Sequence, residues 1–161
     1  MTWDAHDEAE RRRVPVHRVD LPGGLRGVLV QQGERAMILL DRGLGMVERI
    51  AVLTHELVHL ERGGSGDAPG MPDWLATLVE REEERVERIT AERLLPASRL
   101  AAWLDGLDDD AQVSAWDVAE AFDVTLSVAQ RALVADRERR RVEGCPAGCW
   151  CRSALRVVRR G

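Results

Sequence analysis

The chain of 161 residues has no Lys, no Asn and no Tyr, a single Phe, and three Cys that all lie between residues 145 and 151. The absence of tyrosine excludes a phenol as a proton donor or oxyanion partner at any site in the chain. No apolar run approaches the roughly 20 residues that a membrane-spanning helix requires. The first residues also lack the basic-then-apolar order of a signal peptide. The sequence therefore predicts a cytoplasmic protein that has no membrane partner.

The composition is that of a folded chain. Hydrophobic residues make up 45% and charged residues 32% of the sequence, and this balance is typical of a globular protein with one core. All 23 basic residues are Arg, but the net charge is −5. A negative balance argues against a general affinity for nucleic acid.

Two apolar runs near the N-terminus predict a β-hairpin. They cover residues 28–30 and 36–40, and the segment 31–35, which contains a glycine, is the predicted loop between them. The hairpin lies in a region of β structure predicted to extend from Val14 to Leu40.

Helices are predicted for the rest of the chain, so the expected fold is α+β. One helix covers 46–62 and is apolar around most of its circumference, which is typical of a buried helix. A second long helix begins at Asp73 and stops before Pro96. The small sheet is expected to pack on these two helices, and a small helical region follows them. The predicted segments are an N-terminal stretch (1–13), a core (14–96), a helical region that resembles a helix-turn-helix (97–142) and a basic tail with cysteines (143–161).

The segment His55-Glu56-Leu57-Val58-His59 is the strongest functional pattern in the chain. Two histidines four residues apart on a helix lie on one face and can bind one Zn²⁺ ion. A glutamate directly after the first histidine can deprotonate the water that such a metal activates. The pattern predicts His55 and His59 as zinc ligands and Glu56 as the catalytic base. The alternative is two ordinary histidines on a helix.

A catalytic zinc site usually takes a third protein ligand. Zinc peptidases that use a third histidine place glycine three residues and histidine six residues after the second one. Arg62 and Ser65 occupy those positions here, so that class is excluded. The remaining candidates are a loop aspartate (Asp67 or Asp73) and a glutamate on the second long helix.

Helical periodicity selects among the glutamates of that helix. At about 100° per residue, Glu83 and Glu87 interrupt an apolar stripe, and a buried carboxylate is costly unless it is paired or bound to metal. Three further glutamates lie among arginines on a face typical of solvent exposure: Glu80, Glu82 and Glu84. Glu83 is therefore the predicted third ligand, and Glu87 the predicted acceptor for the outer N–H of a zinc-bound histidine. An inward salt bridge to arginine is the alternative for both.

Residues 54–63 and 81–96 together resemble the ImmA/IrrE metallopeptidases, in particular the small forms of actinobacteria and their phages. Residues 35–41 are similar to the strand that precedes the metal helix in that family, and the resemblance covers about 15–135. It implies the same zinc ligands and the same base as the motif. The family's Ala-Asn or Asp after the third ligand is replaced here by Val86-Glu87, so the acidic role of Glu87 departs from the usual geometry.

Members of that family process or inactivate repressors of phages, mobile elements or stress responses. The resemblance implies a zinc-dependent endopeptidase whose partner is a repressor-like protein substrate. An extended substrate could pair with the edge of the predicted sheet. The alternative function is a non-proteolytic DNA- or protein-binding regulator with a structural zinc site. The presence of Glu56 favours the peptidase, because a structural site has no use for a base.

Two weaker patterns lie in the C-terminal part. Residues 118–133 have helix-turn-helix spacing, with Asp123 in the turn and Thr125 as an N-cap. The second helix and the basic tail could contact DNA, but the candidate reading face is poor in basic groups, so a packing role is favoured. That face consists of Leu126, Ser127 and Gln130. Three clustered thiols suggest either a second metal site that lacks a fourth ligand or reduced cysteines in a tail: Cys145, Cys149 and Cys151.

Overall fold

The computed structural model describes residues 3–63, 73–108 and 111–142. Within these ranges a three-stranded sheet and six α-helices form an α+β fold, which confirms the predicted class. The chain divides into two compact units, residues 1–93 and 94–161. No helix in the described ranges is both long and apolar enough to cross a membrane. In chain order the elements are α1 (Ala5–Arg11), β1 (Val16–Val19), β2 (Gly27–Gln32), β3 (Arg35–Asp41), α2 (Met46–Arg62), α3 (Asp73–Leu94), α4 (Ala97–Leu104), α5 (Ala115–Phe122) and α6 (Leu126–Val142).

The sheet has the strand order β1-β3-β2. The strand β1 runs parallel to β3, with Val16 beside Ile38, and β2 runs antiparallel to β3, with Leu29 beside Ile38. The sequence predicted the hairpin but not the parallel pairing of β1. Because β1 is only four residues long and its two central residues are exposed, it lacks the continuous apolar run that usually marks a parallel strand.

The hairpin turn is shorter than the predicted loop 31–35. Only Gly33 and Glu34 separate the strands, so Gln31 and Gln32 belong to the ladder. Gly33 has a φ of 59°, and glycine at the first central position is typical of a two-residue turn whose twist matches that of the strands. The polar side chains that suggested a loop are therefore exposed strand residues.

One edge of the sheet is formed by β2. Along an antiparallel pair, residues whose backbone groups bond to the partner strand alternate with residues whose backbone groups point away from it. Asp41 donates its N–H to the carbonyl of Arg26 at 2.9 Å, so Arg26 is of the first kind. Counting along β2 from that pair, the backbone groups of Gly27, Leu29 and Gln31 point away from β3. They form the free edge of the sheet within the described residues.

The helix α2 follows the predicted bounds of 46–62. Its first turn is capped by the Glu48 carboxylate, which accepts the N–H of Gly45 at 3.2 Å. It ends at Gly63, whose φ of 99° is favourable for glycine. Leu53 and Leu57 are fully buried and belong to one core cluster with the buried residues of β3. The sheet and this core hold α2 in a fixed orientation.

In the described part of the second unit, residues 94–108 and 111–142, the chain forms the helices α4, α5 and α6. The N-terminus of α5 is capped by Ser114 and Asp117, and Asp123 ends the helix in a left-handed conformation with a φ of 52°. Thr125 caps α6 through its hydroxyl, which accepts the N–H of Val128 at 3.4 Å. The predicted turn and cap are thus confirmed. The basic tail and its three cysteines lie outside the described residues.

Candidate metal centre

The helix α2 places two imidazole rings side by side, as expected for residues four apart. The Nε2 atoms of His55 and His59 are 3.0 Å apart, and the rings meet edge to face. The His59 side chain is 4% exposed and that of His55 is 27% exposed. One ring is therefore buried and its neighbour opens towards solvent.

The helix α3 brings a carboxylate to the same point. One oxygen of Glu83 lies 3.2 Å from Nε2 of His59, and the other lies 3.6 Å from Nε2 of His55. The three ligand atoms lie within 4.8 Å of one another, and no other group of this kind occurs in the described residues. The structure thus brings together the three residues that the sequence predicted as metal ligands.

The spacing of these atoms fits a metal ion. A tetrahedral ion with bonds of about 2.0–2.1 Å holds its ligand atoms about 3.3 Å apart, and the distances at the site are 3.0, 3.2 and 3.6 Å. The Nδ1 atom of His59 is buried and has no hydrogen-bond partner in the described residues. Binding of a cation at Nε2 would fix the proton on that Nδ1. The donor set and its geometry are therefore compatible with a divalent cation.

Partial burial determines the charge of His55, the less buried of the two histidines. Desolvation, with a smaller effect of the neighbouring His59, lowers the pKa of His55 to about 4. Its ring is neutral at pH 7, and neutral imidazole is the form that binds metals. The site can accept a cation near neutral pH without first losing a proton from His55.

Glu56 lies beside the three donors and has a different environment. Burial raises the pKa of its carboxyl to about 7, the charge of Glu83 adds to that increase, and a hydrogen bond from the backbone N–H of Leu29 opposes it. A carboxyl whose pKa lies near the working pH can both accept and return a proton. Glu56 therefore has the properties of a general acid–base group.

A family model described as the IrrE N-terminal-like domain, a peptidase family, matches residues 9–134. The chain belongs to this family. It is a metallopeptidase of the ImmA/IrrE type, as the sequence predicted. Comparisons with curated proteins and with solved structures gave no match.

In this metallopeptidase two ion pairs join α3 to the C-terminal end of α2. Arg62 binds Glu82, and Glu61 binds Arg93. The guanidinium of Arg93 also lies 4.5 Å from the ring centre of Trp3. The sequence predicted that Glu82 would have a solvated position, but its side chain is only 33% exposed and is paired. The helical periodicity of α3 alone could not predict this pair, because it depends on where Arg62, the last residue of α2, lies relative to Glu82.

The other predicted site residues have less defined positions. Glu87 is half-buried one turn after Glu83, but among the described residues the buried Nδ1 of His59 has no hydrogen-bond partner. A contact between Glu87 and a histidine therefore stays a prediction. Asp67 lies outside the described residues, as does the side chain of Asp73, so the loop-aspartate alternative is not addressed by the geometry.

One strand residue that lies against the base was not predicted from the sequence. Gly27 lies directly against Glu56, with the position of a Cβ atom only 3.0 Å from the carboxylate. A signal was present in the sequence, because a glycine beside the apolar run 28–30 is typical of a close approach by another chain segment.

Proposed function

We propose that this metallopeptidase is a zinc-dependent endopeptidase that hydrolyses a peptide bond in a repressor-like regulatory protein. His55, His59 and Glu83 would hold Zn²⁺, and Glu56 would be the general base. The observation that carries the proposal is the convergence of two imidazole nitrogens and a carboxylate within 4.8 Å next to a glutamate whose pKa is raised to about 7.

Zinc suits this donor set. Two histidines and one glutamate form a set used by catalytic zinc sites that keep one position open for water or substrate. When bound, Zn²⁺ supplies a Lewis acid that polarises a carbonyl and makes water more acidic.

The protein's own residues carry the proton transfers. Glu56 removes a proton from the attacking water and then donates it to the amine of the leaving peptide. Its half-buried position limits the access of bulk water to that proton. A positive charge at the three donors would also offset the repulsion between Glu83 and Glu56, so that both carboxylates tolerate ionisation.

The free edge of β2 is a suitable place for the substrate chain. The carbonyl of Leu29 and the backbone groups of Gln31 point away from β3 and can pair with an extended peptide by β-augmentation, while the Leu29 N–H faces Glu56. Because Leu29 lies beside Glu56, a peptide on this edge would pass next to the base. The proposed partner is therefore a protein with an extended, accessible segment. We place the reaction in the cytoplasm.

The repressor partner rests on the resemblance to the ImmA/IrrE family and is testable in cells. The protein would be co-expressed with the product of a neighbouring repressor-like gene, and the length and abundance of the repressor would be followed. We expect a shortened repressor with the wild type and full-length repressor with Glu56→Gln, because removal of a general base lowers the rate about 10²–10⁴-fold. The variant should still bind zinc.

A second candidate function rests on the geometry of α5 and α6. These helices flank the left-handed Asp123, and Ser127 and Gln130 at the start of α6 are exposed. A non-proteolytic regulator that binds DNA or protein through this surface would inactivate the repressor equally well with Glu56→Gln, and no fragments would appear. That outcome of the same experiment would replace the peptidase proposal.

A further inference from the structure

The base Glu56 lies against a gap in the side chains of the sheet edge. A Cβ atom built on Gly27 would lie 2.4 Å from Cγ1 of Val52, 3.0 Å from a carboxylate oxygen of Glu56 and 3.3 Å from its Cγ. The backbone of Gly27 does not have a positive φ. Space, and not backbone conformation, is therefore the reason for a glycine at this position.

The next outward-facing residue of the same strand supplies a hydrogen-bond donor. Leu29 is two residues after Gly27, so both point their backbone groups towards the free edge. The N–H of Leu29 faces the Glu56 carboxylate and lowers the pKa of that group. One short stretch of β2 thus provides both the space and the donor that the carboxylate uses.

We propose that Gly27 is a positioning residue for the base: it allows α2 to approach β2 closely enough for the Leu29 N–H to orient the Glu56 carboxylate beside His55, His59 and Glu83. Any larger residue would meet Val52, which is β-branched and has one strongly preferred rotamer on a helix. The helix would then have to move away from β2, and the carboxylate would move with it.

This inference rests on the proposed role of Glu56, and it has a structural consequence. The edge that would bind the substrate also holds the base. The distance between the bound peptide and Glu56 would then depend directly on how closely α2 packs against β2. The orientation of the base would depend on Gly27, because the Glu56 carboxylate lies against this residue.

The test uses the full-length chain and four variants: Gly27→Ala, Val52→Ala, the double variant, and Gly45→Ala as a control. A Cβ at Gly45 meets only a carboxylate oxygen of Glu48 at 3.7 Å, so this control adds the same methyl group without crowding. Amide hydrogen exchange at Leu29 is measured in the metal-free protein, zinc affinity by competition with a chelator, and kcat and KM on the co-expressed repressor.

In wild type the Leu29 amide should be protected even though it points to the open edge of the sheet. Gly27→Ala should reduce that protection about tenfold, the effect expected for loss of one hydrogen bond. It should also lower kcat by more than it changes KM, while zinc affinity stays within about threefold of wild type. Val52→Ala in the Gly27→Ala background removes the closest contact and should restore protection and kcat to within about threefold.

Three results would overturn the proposal. They are an unprotected Leu29 amide in wild type, normal protection and kcat in Gly27→Ala, and failure of the double variant to restore either property. If Gly27→Ala does not fold, Glu56→Ala in the native Gly27 background provides the decision, because it must deprotect Leu29 while Glu56→Gln does not. If no substrate is cleaved at all, the proposed function fails, and the exchange measurements still test the position of Glu56.

Discussion

Two clusters of charged and polar side chains on α2 join this helix to α3, and they are built on opposite principles. At the first, two imidazole nitrogens face the Glu83 carboxylate, which makes no ion pair with an arginine in the described part of the chain. At the second, Glu61 receives guanidinium groups from Arg12 of the N-terminal segment and from Arg93 of α3. The first cluster offers electron pairs to a cation that its own residues do not supply. The second is a matched cluster, because its carboxylate is already paired with two arginines.

This difference separates a binding site from a structural contact. A half-buried carboxylate and two imidazole nitrogens gain little from one another when each offers an electron pair and needs a cation or a proton donor. The Glu61 cluster satisfies its own charges and needs no further group. We therefore expect removal of a residue from the first cluster to change metal binding, and removal of a residue from the second to change only stability.

The largest effect is expected for His59→Ala. It removes the more buried of the two nitrogen donors, so zinc affinity should fall at least about 100-fold, which exceeds the effect of losing an outer contact of a ligand. Zinc content and affinity are measured on the purified protein by elemental analysis and chelator competition. His17→Ala is the matched control, because His17 lies exposed on β1. Equal zinc binding by both variants would show that the convergence of donors on α2 and α3 is not a metal site.

In that experiment the cysteines of the tail need a separate control. Cys145, Cys149 and Cys151 could hold a second ion, which would mask the loss at the main site. The His59→Ala measurement is therefore repeated with all three replaced by Ser. Zinc that persists in His59→Ala but disappears with the Ser replacements belongs to the tail.

The next effect is expected for Glu83→Gln. The amide is similar in shape but is a poor metal ligand without the negative charge, so zinc affinity should fall about 10–100-fold. Glu84→Gln on the exposed side of the same helix should have no measurable effect. A larger loss with Glu84→Gln or Glu82→Gln would mean that the phase of α3 is shifted by one residue. Unchanged affinity in every glutamate variant would favour a loop aspartate as the third ligand.

Much of this site could be predicted from local sequence patterns. The spacing of His55 and His59 and the helical phase of Glu83 depend only on 3.6 residues per turn, and the structure brings these three side chains together. The bounds of α2 agree with the predicted 46–62, and the structure places Gly45 at its start and the left-handed Gly63 after its end. Local periodicity is informative where one element determines the geometry.

Contacts between distant elements could not be predicted in the same way. The approach of Gly27 to Val52 depends on how β2 and α2 pack, and the pairing of Arg62 with Glu82 depends on the position of a helix end. The parallel pairing of β1 with β3 is likewise a tertiary contact. These features became evident only in three dimensions, because a single sequence does not record which surfaces meet.

A smaller effect is expected for Glu61→Gln, and it should be confined to stability. Loss of the pairs with Arg12 and Arg93 should lower the free energy of unfolding by about 1 kcal/mol, since the cluster is a partly exposed network. Glu48→Gln is the control on the same helix, because its pair with Arg26 is half-exposed, and we expect a change below about 0.5 kcal/mol. Zinc affinity should stay within about twofold in both. A marked loss of zinc in Glu61→Gln would show that the matched cluster also orients the metal ligands.

The smallest effect is a dependence of stability on pH at Glu8, a buried carboxylate of α1 that also belongs to a matched cluster. Its pKa is lowered from its ordinary value of 4.5, mainly by the hydrogen bond from Arg11, with Arg12 acting in the same direction and burial opposing it. Because the folded-state pKa lies below the unfolded one, the stabilisation is present above pH 4.5 and is lost as pH falls through the folded pKa. The difference in unfolding free energy between wild type and Glu8→Gln should therefore be constant near neutral pH, about 1 kcal/mol or less, and should shrink towards pH 3.

Urea unfolding of both proteins with excess chelator measures this difference without interference from metal binding at the histidines. A difference that does not change down to pH 3 would mean that the arginines do not preferentially stabilise the ionised form of Glu8, and the contrast between matched and unmatched carboxylates would lose its simplest example.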